Sequence, residues 1–339
     1  MASLISLQTP LYLDIISDIK FSPKQNHLLV SSWDSRLLLY DCSDVTQSSM
    51  VTEFQSNIPI LSIAYGLGNS TYVGGLDGTV RQIDYENLKI GNENIGDKTE
   101  SVLGINNLKS IENQPHILVA SGFDGRLQFI DSRKRTPILS RKLSNKIFCT
   151  DTTSEYLTIG MSERRIEIYD HRNWNQPYQV RESGLKYQIK DLKNFPTGDG
   201  FAISSIDGRV AMEYFDPSEE AQSKKFAFKC HRFSDKQSRT DLVYPINSMV
   251  FNKGNNTLFT AGSDGYLCLW NWQKRKRIKQ FSKFEDDHAN TQSIVKTDIS
   301  FDNKLIGIAT SDDSFKNMKS LSLSSDNNKA SKIYIKTLT

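Results

Sequence analysis

The chain is expected to fold as an all-β, seven-bladed propeller, and three features of its sequence predict this. A short phrase returns at a regular interval, strand-like alternation flanks each copy, and the length of 339 residues accommodates seven such units. The phrase is a small residue, an Asp-Gly-like turn, and an alternating strand ending in an apolar residue and Asp or Asn. It reads Ser31-Ser32-Trp33-Asp34-Ser35 to Leu39-Tyr40-Asp41, then Gly74-Gly75-Leu76-Asp77-Gly78 to Ile83-Asp84, then Ser121-Gly122-Phe123-Asp124-Gly125 to Phe129-Ile130-Asp131. A degenerate copy runs from Gly160-Met161-Ser162-Glu163 to Tyr169-Asp170. Ser204-Ser205-Ile206-Asp207-Gly208 leads to Phe215-Asp216, Ala261-Gly262-Ser263-Asp264-Gly265 leads to Trp270-Asn271, and a partial copy spans Ala309 to Asp313. A supersecondary unit repeated at about 40–45 residues is the signature of a WD40 propeller. One such domain is expected to span residues 1–339.

Each unit opens with an alternating segment such as Ile16–Pro23 or Ile246–Phe251, and a second apolar strand follows, as in His27–Ser31 or Thr257–Ala261. The Asp-Gly turn comes next. Gly accepts positive φ and Asp hydrogen-bonds within its own turn, so the pair between two apolar strands predicts a hairpin. A third strand such as Gly78–Asp84 and a more polar fourth, Lys225–Lys229 or Arg277–Phe281, complete the unit. Four strands per unit give the radial sheets of a propeller. The apolar segments Leu4–Leu7 and Ile333–Ile335 are placed to pair, the N-terminal strand completing the last blade and removing an exposed edge. Residues 218–224 and 234–243 read as polar loops around the fifth unit's outer strand. Residues 314–332, rich in Ser, Asn, Asp and Lys, read as a mobile loop inside the last blade.

Composition narrows the function. The 42 basic and 39 acidic residues leave a net charge of +3, too balanced for wholesale nucleic-acid binding, so electrostatic function must be local. Cys42, Cys149, Cys230 and Cys268 show no metal-ligand spacing and read as buried free thiols of a reducing compartment. No basic n-region and no membrane-length apolar run is present, so a soluble intracellular protein without membrane contact is expected.

No catalytic constellation assembles, and no enzyme activity, metal or cofactor is expected. Gly91–Thr99 has the outline of a phosphate loop, but Asp97 puts a negative charge where phosphate would sit, before Lys98. His27, His116, His171, His231 and His288 have no metal spacing. Asp170-His171-Arg172 ends a third strand, where a structural or surface histidine is expected. Lys274-Arg275-Lys276-Arg277 reads either as a solvated turn or as a nuclear import signal.

The most specific wording lies between residues 181 and 285: Arg181–Lys190, Ser204–Ala211, Lys225-Phe-Ala-Phe-Lys-Cys-His-Arg232, Tyr244–Ser248 and Ala261–Gly265. With these residues the chain closely resembles the Bub-three family of WD40 proteins of the spindle assembly checkpoint. A neighbouring family, the Rae-type messenger-RNA export propeller of the nuclear pore, shares some of these words and is the alternative. The checkpoint resemblance implies two peptide sites. One would bind the GLEBS segment of the checkpoint kinase Bub-one and of Mad-three or BubR, and its matching positions here are Trp33, Phe123 and Lys190. On their own, Trp33 and Phe123 read as apolar residues packing against their own turns, and the resemblance reverses that reading. An aromatic on a rim offers large contact area at low entropy cost, as interface anchors do. Lys190 stands where the family often has Arg, which replaces a bidentate contact by a point charge.

The second implied site takes phosphorylated Met-Glu-Leu-Thr (MELT) repeats of the kinetochore scaffold, through Arg209 and Lys229. A register argument bears on it separately. If the fifth unit's outer hairpin pairs symmetrically about Glu219, residue 209 lies opposite 229. Like charges opposite each other across an antiparallel pair are destabilising, so the pair makes sense if an anion is recruited between them. A phosphothreonine, with its double charge and three acceptor oxygens, suits that demand. The resemblance thus implies a non-enzymatic adaptor, nuclear and at kinetochores in mitosis, that brings checkpoint kinases to marked repeats. No direct nucleic-acid partner is expected.

Overall fold

Period-two alternation becomes seven four-stranded antiparallel sheets in a computed structural model, which describes residues 4–11, 13–97, 103–235, 239–286, 289–312 and 331–338. The fold is a seven-bladed β-propeller. Its sheets fall in two compact units, Phe54–Cys230 and the pair of segments Met1–Glu53 and His231–Thr339.

The unit Phe54–Cys230 holds blades two to five. Blade two is Ile60–Tyr65, Thr71–Gly75, Val80–Asp84 and Lys89–Ile90; blade three is Ile105–Ile111, Gln114–Gly122, Arg126–Asp131 and Thr136–Lys142. Blade four is Ile147–Thr152, Tyr156–Met161, Arg165–Asp170 and Gln179–Glu182; blade five is Ile189–Asn194, Gly200–Ser205, Arg209–Tyr214 and Phe226–Lys229. The second strands Thr71–Gly75 and Gly200–Ser205 are buried along their whole length, whereas the outer strand Thr136–Lys142 alternates between exposed and half-buried residues. A strand covered on both faces reads as a continuous apolar or small-residue run, and one covered on a single face reads as alternation. The cores lie between neighbouring blades: Leu127 and Phe129 of blade three pack with Ile147 and Leu157 of blade four, and Ile166 and Ile168 of blade four with Ile189 and Phe201 of blade five. Each of these fully buried side chains contributes about 1.5–3 kcal/mol by leaving water.

The other unit holds blades one, six and seven. Blade one is Ile16–Phe21, His27–Ser32, Arg36–Asp41 and Ser49–Gln55, its last two residues belonging to the partner unit's segment. Blade six is Ile246–Asn252, Thr257–Gly262, Leu267–Asn271 and Lys276–Gln280. In blade seven, Ser293–Ile299 and Leu305–Ser311 are followed by Lys332–Thr337, which pairs with Leu4–Ser6 through Leu4↔Lys336, Ile5↔Ile335 and Ser6↔Tyr334. The two apolar terminal segments therefore meet, and residues from both ends (Leu7, Leu13, Ile333, Ile335) share one buried cluster.

One irregularity repeats in all seven blades. The first strand carries a bulge next to its opening residue, between Ile16 and Asp18, Ile60 and Ser62, Ile105 and Asn107, and at the matching places onward. Bulges re-aim a side chain and sharpen twist, so each blade bends at the same point. The third-strand turns follow the expected chemistry: Gly125 and Gly208 take φ of 88° and 67°, and a Cβ on Gly125 would stand 2.5 Å from the Asn145 carbonyl oxygen. The degenerate fourth copy reaches the same turn without glycine, by placing Glu163 and Arg164 at φ of 60° and 61°.

Three sequence expectations need correction. Residues 218–224 are not simply loop: Glu219–Ser223 is a short helix, capped by Ser218, whose hydroxyl accepts from the Ala221 N–H. Much of 234–243 is a hairpin, Arg232–Asp235 with Thr240–Val243, because Phe233 and Leu242 can face each other across it. Lys276 and Arg277 sit inside blade six's outer strand, leaving only Lys274 and Arg275 in the turn before it. Of the expected loop 314–332, Ser331 is buried and Lys332 begins a strand; the rest lies outside the described residues. The four cysteines are buried free thiols, and burial pushes Cys42 and Cys268 up to about 12.

Candidate functional site

Blade five presents the first candidate. Strand Arg209–Tyr214 leaves the Asp207-Gly208 turn, and Phe226–Lys229 returns alongside it with Arg209 opposite Lys229, Val210 opposite Phe228 and Met212 opposite Phe226. The two cations stand face to face, as symmetric pairing about Glu219 requires. The sequence reading missed their neighbour. The Asp207 carboxylate accepts a 2.9 Å hydrogen bond from Arg209 Nε and is itself oriented by the Ser205 hydroxyl. Arg209 keeps 39 % of its side chain exposed. Among the described residues no carboxylate pairs with Lys229.

Other blades serve as internal controls for this arrangement. In blade three Arg126 likewise stands opposite Lys142, but both are neutralised: Arg126 donates to Asp97 at 3.0 Å and Lys142 to Asp124 at 3.1 Å. In blade four the cation opposes an anion, Arg165 against Glu182. In blade one Arg36 lies 3.4 Å from Asp34 and 3.6 Å from Glu53. The turn Asp thus pairs with an Arg two residues on in blades one, three and five, a local and recurrent device. Blade five differs because its second cation has no carboxylate among the described residues, which leaves one exposed positive charge uncompensated by them.

The second candidate uses the turns before the third strands. Trp33 and Phe123 each stand just before the turn Asp, with backbone N–H groups tied to Ile15 and Leu103 carbonyls and side chains each 39 % exposed. The same slot holds exposed Leu76 in blade two and Ile206 in blade five, which the sequence reading did not single out although the repeat alignment displays them. Leu76 and Phe123 converge over Gly104: their side-chain carbons lie 3.4 and 3.5 Å from where a Cβ on that glycine would sit, beside exposed Leu103. Lys190 occupies the bulge of blade five's first strand, between Ile189 and Leu192, the one cation among the bulge residues. Trp33 lies in one compact unit, Phe123 and Lys190 in the other.

A third constellation was invisible to motif reading. His231 Nδ1 bonds the Asp264 carboxylate at 2.8 Å, its Nε2 bonds the Thr260 hydroxyl at 2.9 Å, and Trp270 Nε1 donates to that hydroxyl at 3.0 Å. The imidazole is completely buried. This relay fastens His231, just past blade five's outer strand, to the second and third strands of blade six and to the turn between them, so it is structural. The available signal was the order His, Thr, Asp, Trp across one repeat.

The features weighed for catalysis take structural places. His171 is buried, with Nε2 at 3.1 Å from the Thr153 carbonyl and Nδ1 accepting from Trp174, and burial holds its pKa down. Asp170 pairs with Arg172. In the Gly91–Thr99 segment Asp97 takes bonds from Arg126 and the Ser140 hydroxyl, and Asn94 accepts from Val80 and Gly96 N–H groups; Lys98 and Thr99 lie outside the described residues. Among the described residues no group of three or more His, Cys, Asp or Glu side chains could hold a metal ion.

Comparison with known proteins agrees with the propeller fold. Residues 8–41 and 238–271 match the WD40 family (WD domain, G-beta repeat). The chain is 35 % identical to the mitotic checkpoint protein BUB3.1 of Arabidopsis thaliana over 88 % of this chain and 84 % of that one. It is also 35 % identical to the spindle assembly checkpoint protein bub3 of Schizosaccharomyces pombe, over 88 % of each chain. A poly(A)+ RNA export protein of Schizosaccharomyces pombe is 30 % identical over 79 % of this chain and 74 % of that one.

Proposed function

Since the chain belongs to the Bub3 family of WD40 checkpoint propellers, a spindle-checkpoint protein, we propose that it works as a two-site adaptor. Its fold is that of a binding scaffold, and the reading assigns it no chemistry of its own. Arg209 and Lys229 read a phosphothreonine in MELT repeats of the kinetochore scaffold. Trp33, Phe123 and Lys190 hold the GLEBS segment of Bub-one and of Mad-three or BubR. Holding both on one chain raises the partners' effective concentration for each other, which recruits the kinase to kinetochores in mitosis.

The observation that carries the phosphate reading is Lys229. Its counterpart Lys142 has Asp124 at 3.1 Å, whereas Lys229 has no such carboxylate among the described residues. Charge-assisted hydrogen bonds to an anion contribute about 1.5–3 kcal/mol each, so an exposed cation pair with one carboxylate has binding capacity to spare. Titrating phosphorylated and unphosphorylated MELT peptides against the protein and against Arg209→Ala and Lys229→Ala tests it. Preference for the phosphorylated form, lost in both variants, is expected; equal affinity for the two forms sinks the reading.

The similarity to an RNA export protein supports one rival, a nuclear-pore factor that binds a nucleoporin GLEBS segment. Capture of that segment in preference to the kinase's, with the protein at the nuclear rim through mitosis, would decide for it.

A further inference from the structure

Blade six ends in a strand of concentrated charge. From Lys274 to Lys283 the sequence holds six cations (Lys274, Arg275, Lys276, Arg277, Lys279 and Lys283) and no carboxylate. The strand Lys276–Gln280 is exposed throughout and forms the outer edge of its sheet. Lys283 pairs with Glu285 at 3.4 Å, but among the described residues no carboxylate pairs with Lys274, Lys276, Arg277 or Lys279. Rings receive two of these cations, Arg277 and Lys279. Arg277 lies 5.9 Å from the Trp270 centroid, and Lys279 and Lys336 lie 5.1 and 5.2 Å from that of Phe281. Burial and the charge of Lys279 hold Lys336 below the ordinary lysine range.

Lysines on an edge strand deter unwanted strand pairing, and one or two suffice for that. Edge protection explains neither the cations of the preceding turn nor Lys336 crowding in from blade seven. It also leaves out a cleft of about 440 Å³ whose lining includes Arg277, Lys283, Phe233 and Tyr266, together with two carboxylates, Asp312 and the His231-bonded Asp264. Phe233 is 63 % exposed and stands opposite exposed Leu242 on the hairpin.

We propose that the outer strand of blade six and this cleft form a docking groove for an extended acidic peptide carrying one bulky apolar or aromatic residue. The carboxylates lie along the cations, and the bulky residue enters the cleft between Phe233 and Tyr266. A strand edge, exposed Ile278 and an aromatic cleft reward a peptide. A nucleic acid would draw on the charge alone, because cations already cover the Trp270 and Phe281 faces on which bases could stack. Neither Arg209 nor Lys229 lines the groove, and the proposal stands or falls independently of the phosphate reading.

Fluorescence anisotropy tests it with a labelled peptide of alternating Glu and Ser around one central Trp, the same peptide with Gln for Glu, and a labelled single-stranded oligonucleotide. Saturable binding of the acidic peptide is expected, weaker by roughly tenfold in the triple variant Lys274→Glu, Lys276→Glu, Lys279→Glu. Phe233→Ala is expected to weaken it several-fold, and Arg209→Ala with Lys229→Ala to leave it unchanged. All three lysines and Phe233 are exposed, and unchanged melting temperatures would show the variants folded. No saturable binding of the acidic peptide, equal binding of the Gln peptide, or indifference to charge reversal overturns the proposal. An oligonucleotide that binds more tightly, and is sensitive to the lysines but not to Phe233, overturns the peptide assignment in favour of a nucleic-acid backbone.

Discussion

Removing the Asp207 carboxylate beside the blade-five pair should strengthen phosphopeptide binding. Asp207 lies 2.9 Å from Arg209 Nε, so an incoming phosphate must share Arg209 with it. A phosphothreonine dianion seated between Arg209 and Lys229 would sit about 5–6 Å from the Asp207 carboxylate, where two charges against one repel by about 1.5–3 kcal/mol at an effective dielectric of roughly 40–80. Solvent and salt screen such a half-exposed site further, and about 1 kcal/mol is a sound expectation. Asp207→Asn should therefore tighten binding of a phosphorylated MELT peptide about fivefold. Asn preserves the turn, because its side-chain oxygen can accept the same bond from the Ser205 hydroxyl. The same logic orders the alanine variants. Lys229→Ala removes a cation with no competing carboxylate among the described residues and should weaken binding about tenfold or more, at least as much as Arg209→Ala. Isothermal titration calorimetry at two salt concentrations measures both effects. An Asp207→Asn protein with unchanged melting temperature but unchanged or weaker phosphopeptide affinity would refute the charge argument.

Further outcomes follow from other parts of the fold. His231→Ala removes two buried hydrogen bonds and a fully buried ring, so a loss of about 3–5 kcal/mol in chemical denaturation is expected; a loss below about 1 kcal/mol would show that the relay is dispensable. Trp33→Ala and Phe123→Ala should each weaken a GLEBS peptide by about 1–2 kcal/mol in a pulldown or titration while leaving phosphopeptide affinity unchanged. Glu163→Gly should raise the melting temperature slightly, since φ of 60° strains a non-glycine residue by about 1 kcal/mol, whereas Gly125→Ala should lower it because its Cβ meets a carbonyl oxygen. For His171, burial holds the folded pKa below the ordinary value, so the unfolded chain binds the extra proton. Its contribution is complete above about pH 6.5 and is lost as pH falls through the folded pKa; His171→Asn should flatten that part of a stability-versus-pH profile.

The residues that were legible share one property: their partners are close in sequence or fixed by symmetry. Asp207-Gly208 makes its turn with its own neighbours, and Arg209 meets Lys229 because a hairpin pairs about its midpoint. Leu4–Leu7 and Ile333–Ile335 are legible from opposite ends of the chain because both are apolar segments and ring closure needs such a pair. The hairpin at Arg232–Val243 was hidden by its polar composition. The helix Glu219–Ser223 was hidden by its length, since five residues are too few to show a period.

By itself the sequence determined the blades, their order, the turn chemistry and the facing of two cations in blade five, all consequences of period-two patterning and local backbone preference. Only the tertiary structure decided which of those cations are neutralised. Arg126 finds Asp97, a neighbour it does not have in sequence, and Lys229 finds none among the described residues. It likewise decided that His231 reaches Thr260, Asp264 and Trp270. Electrostatic compensation depends on through-space distance and on burial, and the repeat period carries no record of either.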